Sequence, residues 1–336
     1  MQSNKKCTHP LIYYVAGHSG GHIVPLIALA ERNTCLSNAH ALFFITQSNI
    51  DQNIAKNERN IGQFITLPII KFSSKKWWLF SLFFISFVAS FCKSVWYLLT
   101  VRPQKIISTG SIVAIPVCLA AKLCAIPIEL FELNAIPGKA ISFLAPLATH
   151  IYVCFSSAQK HFSKSKCRIT AYPLRSTIYA HAYPRISAKK TILILGGSQG
   201  SIYINTAIMQ LIEEYPAWAQ QFFYIHQTGY PHHKKIQSWY KKHELDSTVF
   251  SFIDNLAPYY SSSDLIIGRA GAGTLFEIIA CKKPCIVIPL EIHTNTHQQM
   301  NAEELQKQYP KKIHILTQMI LTQKLSLLKE SIERLI

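Results

Sequence analysis

Twice in this chain a short apolar run stops on a cluster of small residues and turns at once into a helical pattern. Residues 11–16 lead into Gly17-His18-Ser19-Gly20-Gly21-His22, and residues 191–195 lead into Gly196-Gly197-Ser198-Gln199-Gly200-Ser201. A buried strand that passes through glycines into a helix is the opening of a βαβ unit, and repeating that unit builds a parallel sheet. Further apolar runs at 41–46, 105–108, 126–130 and 151–153, then at 222–226, 264–268 and 284–288, are bounded by Gly, Pro or Asn. Helical segments separate them, as in parallel α/β folds. A length of 336 residues suits two domains. The polar stretch 181–190 (HAYPRISAKK), with a proline and no periodicity, is the natural linker. The pattern is α/β, with Rossmann-like domains at 1–180 and 191–336 whose parallel sheets face each other across a cleft.

Composition narrows the partners. The chain has 34 Lys and Arg against 17 Asp and Glu, a net charge of +17. Such a bias favours nucleic acid, an anionic membrane surface or phosphorylated substrates. No nucleic-acid-binding motif is present and aromatics are not interleaved with basic residues, so nucleic acid is set aside. Nine cysteines without a CxxC pair fit reduced thiols in a cytoplasmic protein. The run 11–16 behind Lys5 and Lys6 is too short for a signal-peptide core, and no cleaved leader is expected.

One segment departs from the alternation. Residues 77–92 (WWLFSLFFISFVASFC) carry no charge, with Lys71, Lys75 and Lys76 before them and Lys93 and Arg102 after. A span needs about 20 apolar residues, available here only by extending to Thr100 across Lys93. It would also strand the first part of one sheet on the wrong side of the bilayer. The expectation is a helix half in the core and half in the lipid surface. Its membrane-facing set is Lys75, Lys76, Trp77, Trp78, Phe80, Phe83, Phe84 and Phe87. The alternative is a fully buried core helix.

The glycine-rich turns carry the chemistry. Glycines let backbone amides approach a ligand, and the following helix offers the positive end of its dipole. The first turn is not a dinucleotide fingerprint. His18 takes a spacer position, His22 replaces the last glycine, and Thr46-Gln47 closes the second strand without an acidic ribose ligand. NAD is therefore discounted. His22 is a candidate general base, or else a histidine that only caps its helix. In the second turn Ser198 and Gln199 can donate to phosphate oxygens. A third turn, Arg269-Ala270-Gly271-Ala272-Gly273-Thr274, follows 264–268. Thr274 with Glu277 three residues on fits a capping box. Glu277 either closes that helix or accepts hydrogen bonds from two ribose hydroxyls. Gln298 and Gln299 open a further helix and can read sugar hydroxyls or face solvent. His293 and His297 lack a carboxylate or cysteine at ligand spacing, so zinc is discounted. No Walker sequence appears.

Five stretches in order resemble the MurG family, the transferase that turns lipid I into lipid II in peptidoglycan synthesis. They are residues 17–22 with Pro25, Asn134-Ala135-Ile136-Pro137-Gly138, Pro173-Leu174-Arg175, residues 196–201, and Phe252-Ile253-Asp254 leading to 269–277 and Gln298-Gln299. The resemblance implies GT-B architecture, an acceptor-binding first domain and a donor-binding second one. It implies Ser19, Gly20 and Gly21 near the acceptor diphosphate, His22 as base with Glu132 as the lesser candidate, and Asn134 on the donor sugar. Arg175 would face acceptor or donor. Ser198 would bind the α-phosphate, Ile253 the uracil, Ala272, Gly273 and Thr274 the phosphates, Glu277 the ribose, and Gln298 and Gln299 the N-acetylglucosamine. Gln199, Arg269, Leu275 and Phe276 complete the substrate-binding set. The implied partners are UDP-N-acetylglucosamine, lipid I, the anionic cytoplasmic membrane surface and cell-wall synthesis proteins. No metal or other cofactor is obligatory, and the protein would be peripheral on the cytoplasmic face. Where the family shows His-Glu-Gln-Asn, this chain has Phe131-Glu132-Leu133-Asn134. His18 and Thr109-Gly110-Ser111-Ile112 depart as well. A lipid glycosyltransferase with another acceptor, a UDP-N-acetylglucosamine 2-epimerase, and a catalytically impaired relative are the rival readings.

Overall fold

The structure is a computed structural model describing residues 10–17, 19–70, 78, 80–179, 183–197, 200–291 and 296–336. Two compact units divide the chain, Met1–Arg175 and Ser176–Ile336. In the first, β1 (Leu11–Val15), β2 (His40–Ile45), β3 (Gln63–Thr66), β4 (Lys105–Ser108), β5 (Ile128–Glu132), β6 (His150–Val153) and β7 (Cys167–Ile169) form one parallel sheet. Its order is β3-β2-β1-β4-β5-β6-β7. In the second, β8 (Lys190–Leu195), β9 (Phe222–Gln227), β10 (Ser247–Phe250), β11 (Leu265–Gly268), β12 (Cys285–Val287) and β13 (Ile313–Ile315) are ordered β10-β9-β8-β11-β12-β13, again all parallel.

Both orders are of the Rossmann type, and each reverses direction once, between β1 and β4 or between β8 and β11. Ligands of such sheets bind at the carboxyl ends of the strands beside that reversal. The turns after β1 and β4 therefore share one crevice in the first unit, and those after β8 and β11 share one in the second. The central strands are covered on both faces, which explains their unbroken apolar runs: Tyr13, Tyr14 and Val15 are buried, as are Ile192, Leu193 and Ile194. Four strands that the sequence pattern does not mark, β3, β7, β10 and β13, are the outermost strands of their sheets.

The apolar segment forms a helix, Phe80–Val101, and it is built inside out. Ser86, Ser90 and Ser94, each four apart, are buried together with Leu98. Phe84, Ile85 and Trp96 are 57 %, 63 % and 60 % exposed. The serines are small enough to let this helix lie close to its neighbour Ala114–Leu123. Ser90 Oγ donates to Ser86 O (2.8 Å) and Ser94 Oγ to Ser90 O (2.7 Å), so the buried hydroxyls are satisfied within the helix. A large apolar side chain left in water forgoes about 1.5–3 kcal/mol of burial. A fully buried core helix is thus excluded. At 22 residues the helix is long and apolar enough to cross a membrane. It nevertheless joins β3 to β4 of one sheet and seats Leu98 in that sheet's core. Of the expected membrane-facing set, Trp78, Phe80 and Phe84 are exposed, Phe83 is half-buried, and Phe87 packs against the core instead. Lys75, Lys76 and Trp77 lie outside the described residues.

Candidate active site

In the first unit the crevice is organised around His22. Ser19 is the extended N-cap of helix Gly20–Ser37, and its carbonyl accepts from His22 N at 3.2 Å. The His22 ring turns toward the neighbouring turn, where Nδ1 lies 3.0 Å from Thr109 O. Thr109 Oγ1 donates in return to His22 O at 2.8 Å. These two bonds tie the turn after β1 to the turn after β4. A carbonyl only accepts, so Nδ1 carries the proton and Nε2 is left as the basic nitrogen. Burial lowers the His22 pKa from its ordinary 6.5, against smaller raising contributions from the Thr109 carbonyl and from Asp51. The ring is therefore neutral at neutral pH. Gly17 is required by close approach: a Cβ there would lie 2.5 Å from Thr46 Cγ2 and 2.7 Å from Asp51 Oδ2. A Cβ on Gly20, by contrast, would meet no atom within 4 Å. His18 lies outside the described residues.

The turn after β5 is held by Glu132. This carboxylate is 2 % exposed, and Oε1 accepts from Asn134 N (2.8 Å) and Asn134 Nδ2 (3.2 Å). Oε2 accepts from Gly138 N at 2.8 Å. Burial raises its pKa, and the backbone donors oppose that shift. With both oxygens engaged, Glu132 shapes the 134–138 turn and orients Asn134. Arg175 is also committed: Nη1 pairs with Glu58, and Nη2 reaches Glu31 at 2.9 Å. The guanidinium thus joins helix Gly20–Ser37 to the turn after helix Asn49–Asn57.

In the second unit Ser201 caps helix Ile202–Glu214, its side chain accepting from Ile204 N at 3.3 Å. Ser198 and Gln199 lie outside the described residues. The third turn corrects the sequence expectation. Helix Ala272–Ala280 starts two residues before Thr274, with Gly271 as N-cap and no side-chain cap. The extended backbone of Gly271 makes Thr274 a first-turn residue, so there is no capping box. The amides of Ala272, Gly273 and Thr274 precede the first bond of that helix, Leu275 N to Gly271 O, and project from its positive end. The Leu275 side chain is fully buried. Phe276 is half-buried.

Freed from capping, Glu277 turns to Tyr260, whose hydroxyl donates to Oε2 at 2.8 Å. Burial pushes the Glu277 pKa up to about 7, the Tyr260 bond lowering it only partly. Arg269 Nη1 donates to Ile288 O (3.1 Å) and Pro289 O (3.2 Å), joining the ends of β11 and β12. Burial lowers its pKa. Ile253 lies in the loop after β10, half-buried. Gln298 Oε1 accepts from Leu290 N at 2.9 Å, and Gln299 Nε2 donates to Glu303 at 2.6 Å. Both glutamines stand in the first turn of helix His297–Gln308. His293 lies outside the described residues.

Residues 12–153 match the glycosyltransferase family 28 N-terminal domain, and residues 191–335 match its C-terminal domain. The chain is 32% identical over 301 residues to a UDP-N-acetylglucosamine--N-acetylmuramyl-(pentapeptide) pyrophosphoryl-undecaprenol N-acetylglucosamine transferase of Bacillus pumilus. That stretch covers 87% of this chain and 82% of the relative. The chain belongs to the MurG family. Its fold is that of Acinetobacter baumannii MurG, with a TM-score of 0.70, 22% identity, and 97% and 90% of the two chains covered. A crystal structure of a UDP-N-acetylglucosamine 2-epimerase shares the fold at a TM-score of 0.63 and 11% identity, covering 97% and 89%. The MurG family thus has GT-B architecture here, as two Rossmann-like sheets.

Sequence reasoning missed one partner in each unit. Thr109 fixes the His22 tautomer, and Tyr260 holds Glu277. Thr109 sits in the turn that departs from the family pattern and carries no signal of its own role. Tyr260 lies in a short helix, Ala257–Ser262, whose sequence resembles any surface turn.

Proposed function

We propose that the chain transfers N-acetylglucosamine from UDP-N-acetylglucosamine to undecaprenyl-pyrophosphoryl-N-acetylmuramyl-pentapeptide, with inversion. The observation that carries the mechanism is the His22–Thr109 bond, because it leaves a bare Nε2 at the mouth of a glycine turn. His22 Nε2 takes the proton of the acceptor hydroxyl as its oxygen bonds to the anomeric carbon and the bond to UDP breaks, through an oxocarbenium-like state. The leaving diphosphate is held by the Ala272–Thr274 amides at the helix start, with no metal obligatory. Glu277 accepts from the ribose hydroxyls, Ile253 meets the uracil, and Gln298 and Gln299 contact the sugar. Asn134, oriented by Glu132, faces the donor sugar. The first test is transfer of labelled N-acetylglucosamine to a lipid I analogue, with diacylglycerol as control acceptor. Label in lipid II supports the assignment. Label in the diacylglycerol product, or donor epimerised without transfer, sinks it.

The exposed face of helix Phe80–Val101 is proposed to rest in the headgroup region of an anionic membrane, on the cytoplasmic side where the lipid acceptor presents its sugar. The net charge of +17 adds attraction to such a surface. The double substitution Phe84→Asp with Ile85→Asp should abolish co-sedimentation with anionic vesicles. It should leave turnover of a short-chain, soluble acceptor analogue near the wild-type rate. Unchanged vesicle binding would place the docking surface elsewhere.

A further inference from the structure

A polar chain lies buried in the second unit, built from side chains that the proposed transfer does not itself use. His226 on β9, Asn205 on helix Ile202–Glu214, Tyr240 on helix His233–Lys242, and Thr228 are all 3 % exposed or less. Thr228 O accepts from Asn205 Nδ2 at 3.0 Å. A carbonyl cannot donate, so this bond sets the amide orientation and turns Asn205 Oδ1 toward His226 Nε2, at 3.1 Å. His226 Nε2 therefore carries the ring proton. Its Nδ1 is then the acceptor for the Tyr240 hydroxyl, at 3.1 Å. Each donor finds an acceptor in one direction only: Tyr240 to His226 to Asn205 to the Thr228 carbonyl. Burial drives the His226 pKa down to about 3 and raises that of Tyr240, so neither group changes protonation at working pH.

The end of this chain touches the glycine loop. A Cβ on Gly200 would lie 2.4 Å from Thr228 O, and Gly200 has a φ of +78°. At the loop's other end, Gly196 N donates to Gln227 O at 3.3 Å. The carboxyl end of β9 is thus the floor beneath both ends of the 196–201 loop, and Asn205 ties that floor to the helix the loop opens. Buried polar networks are costly unless fully satisfied, and when satisfied they specify one backbone arrangement. An apolar core at these positions would take from the Thr228 carbonyl its Asn205 donor, leaving only the backbone bonds of Thr228 and Gly229 to Phe250 and Ser251 to place it.

We infer that Tyr240, His226 and Asn205 are positioning residues which hold the Thr228 carbonyl under Gly200 and so set the backbone of Gly196 and Gly200, the two ends of the 196–201 loop, for the donor diphosphate. This rests on reading that loop as part of the donor site. The test uses the full chain with Asn205→Ala and Tyr240→Phe. UDP affinity is read by calorimetry, KM for UDP-N-acetylglucosamine and for the lipid I analogue by turnover, and the melting midpoint by thermal scan. Asn205→Ala should raise the UDP Kd and the donor KM about tenfold, as expected for a lost buried partner, with the acceptor KM unchanged. Tyr240→Phe, which keeps the Asn205–Thr228 bond and the aromatic packing, should raise the same two quantities by about two- to fivefold. A folded Asn205→Ala that melts lower yet binds UDP as the wild type does would reduce the chain to core structure and overturn the inference. Should Asn205→Ala fail to fold, unchanged UDP affinity in Tyr240→Phe overturns it equally. Wild-type protein that binds no UDP would instead remove the donor-site reading itself, and this inference with it.

Discussion

Replacing His22 with Ala is expected to lower kcat by about 10²–10⁴-fold, the usual worth of a general base, while UDP affinity stays near the wild-type value. The split follows from position. His22 belongs to the first unit and its ring is tied to Thr109, whereas the proposed diphosphate contacts belong to the second. The wild-type pH profile should carry the same signature. Burial holds the His22 pKa below its ordinary 6.5, so the base is bare through neutral pH. At saturating donor, kcat should fall only as pH drops through a value below 6.5, because protonating Nε2 removes the base. Glu132→Gln supplies the control. Gln cannot accept at both ends of the 134–138 turn, so turnover should drop as Asn134 loses its orientation, yet the acidic limb should persist. A limb that disappears in Glu132→Gln and survives in a His22 variant would exchange their roles. Equal losses of kcat and UDP affinity in His22→Ala would mean that the histidine supports structure rather than proton transfer.

Much of this arrangement is legible in sequence because it is local. Gly17 and Gly200 announce turns that admit no side chain, and strands such as Leu11–Val15 announce burial on both faces. The edge strands do not. Gln63-Phe64-Ile65-Thr66 and Ser247-Thr248-Val249-Phe250 are only partly covered, so they show no continuous apolar run, and their pairing is decided by strands far away in sequence. Residues 80–101 read as apolar but for Lys93, yet the serines at 86, 90 and 94 stand one helical turn apart, and that spacing carries the buried face. The capping box at Thr274 and Glu277 misleads for a different reason. Spacing is a local signal, and the tertiary bond to Tyr260, 17 residues earlier, overrides it. Thr109 illustrates the remaining limit, since the carbonyl that selects the His22 tautomer is 87 residues from the ring.

Glu277 is expected to make donor binding pH-dependent, with affinity and stability moving in opposite directions. To accept from two ribose hydroxyls the carboxyl must be ionised, and burial has raised its pKa to about 7. The Kd of UDP-N-acetylglucosamine should therefore rise about tenfold for each pH unit below 7 and level off above it. This donor is the proper probe, because its diphosphate is esterified at both ends and does not titrate in that range. Glu277→Ala should weaken binding by about 10²-fold, the worth of two charge-assisted bonds, and flatten the pH dependence. Stability runs the other way. A carboxyl whose folded pKa stands above its ordinary 4.5 favours folding fully below that value, and this advantage is lost as pH rises through 7. At pH 8 the ionised group costs the unliganded protein up to the order of 3 kcal/mol, so Glu277→Gln should melt higher than wild type there and lose that advantage near pH 5. Melting curves at the two pH values, beside the Kd profile, decide the matter. A residue that only closed its helix would lose stability on substitution and leave donor affinity alone. A site residue kept against its own desolvation gains stability when it is neutralised and loses its ligand.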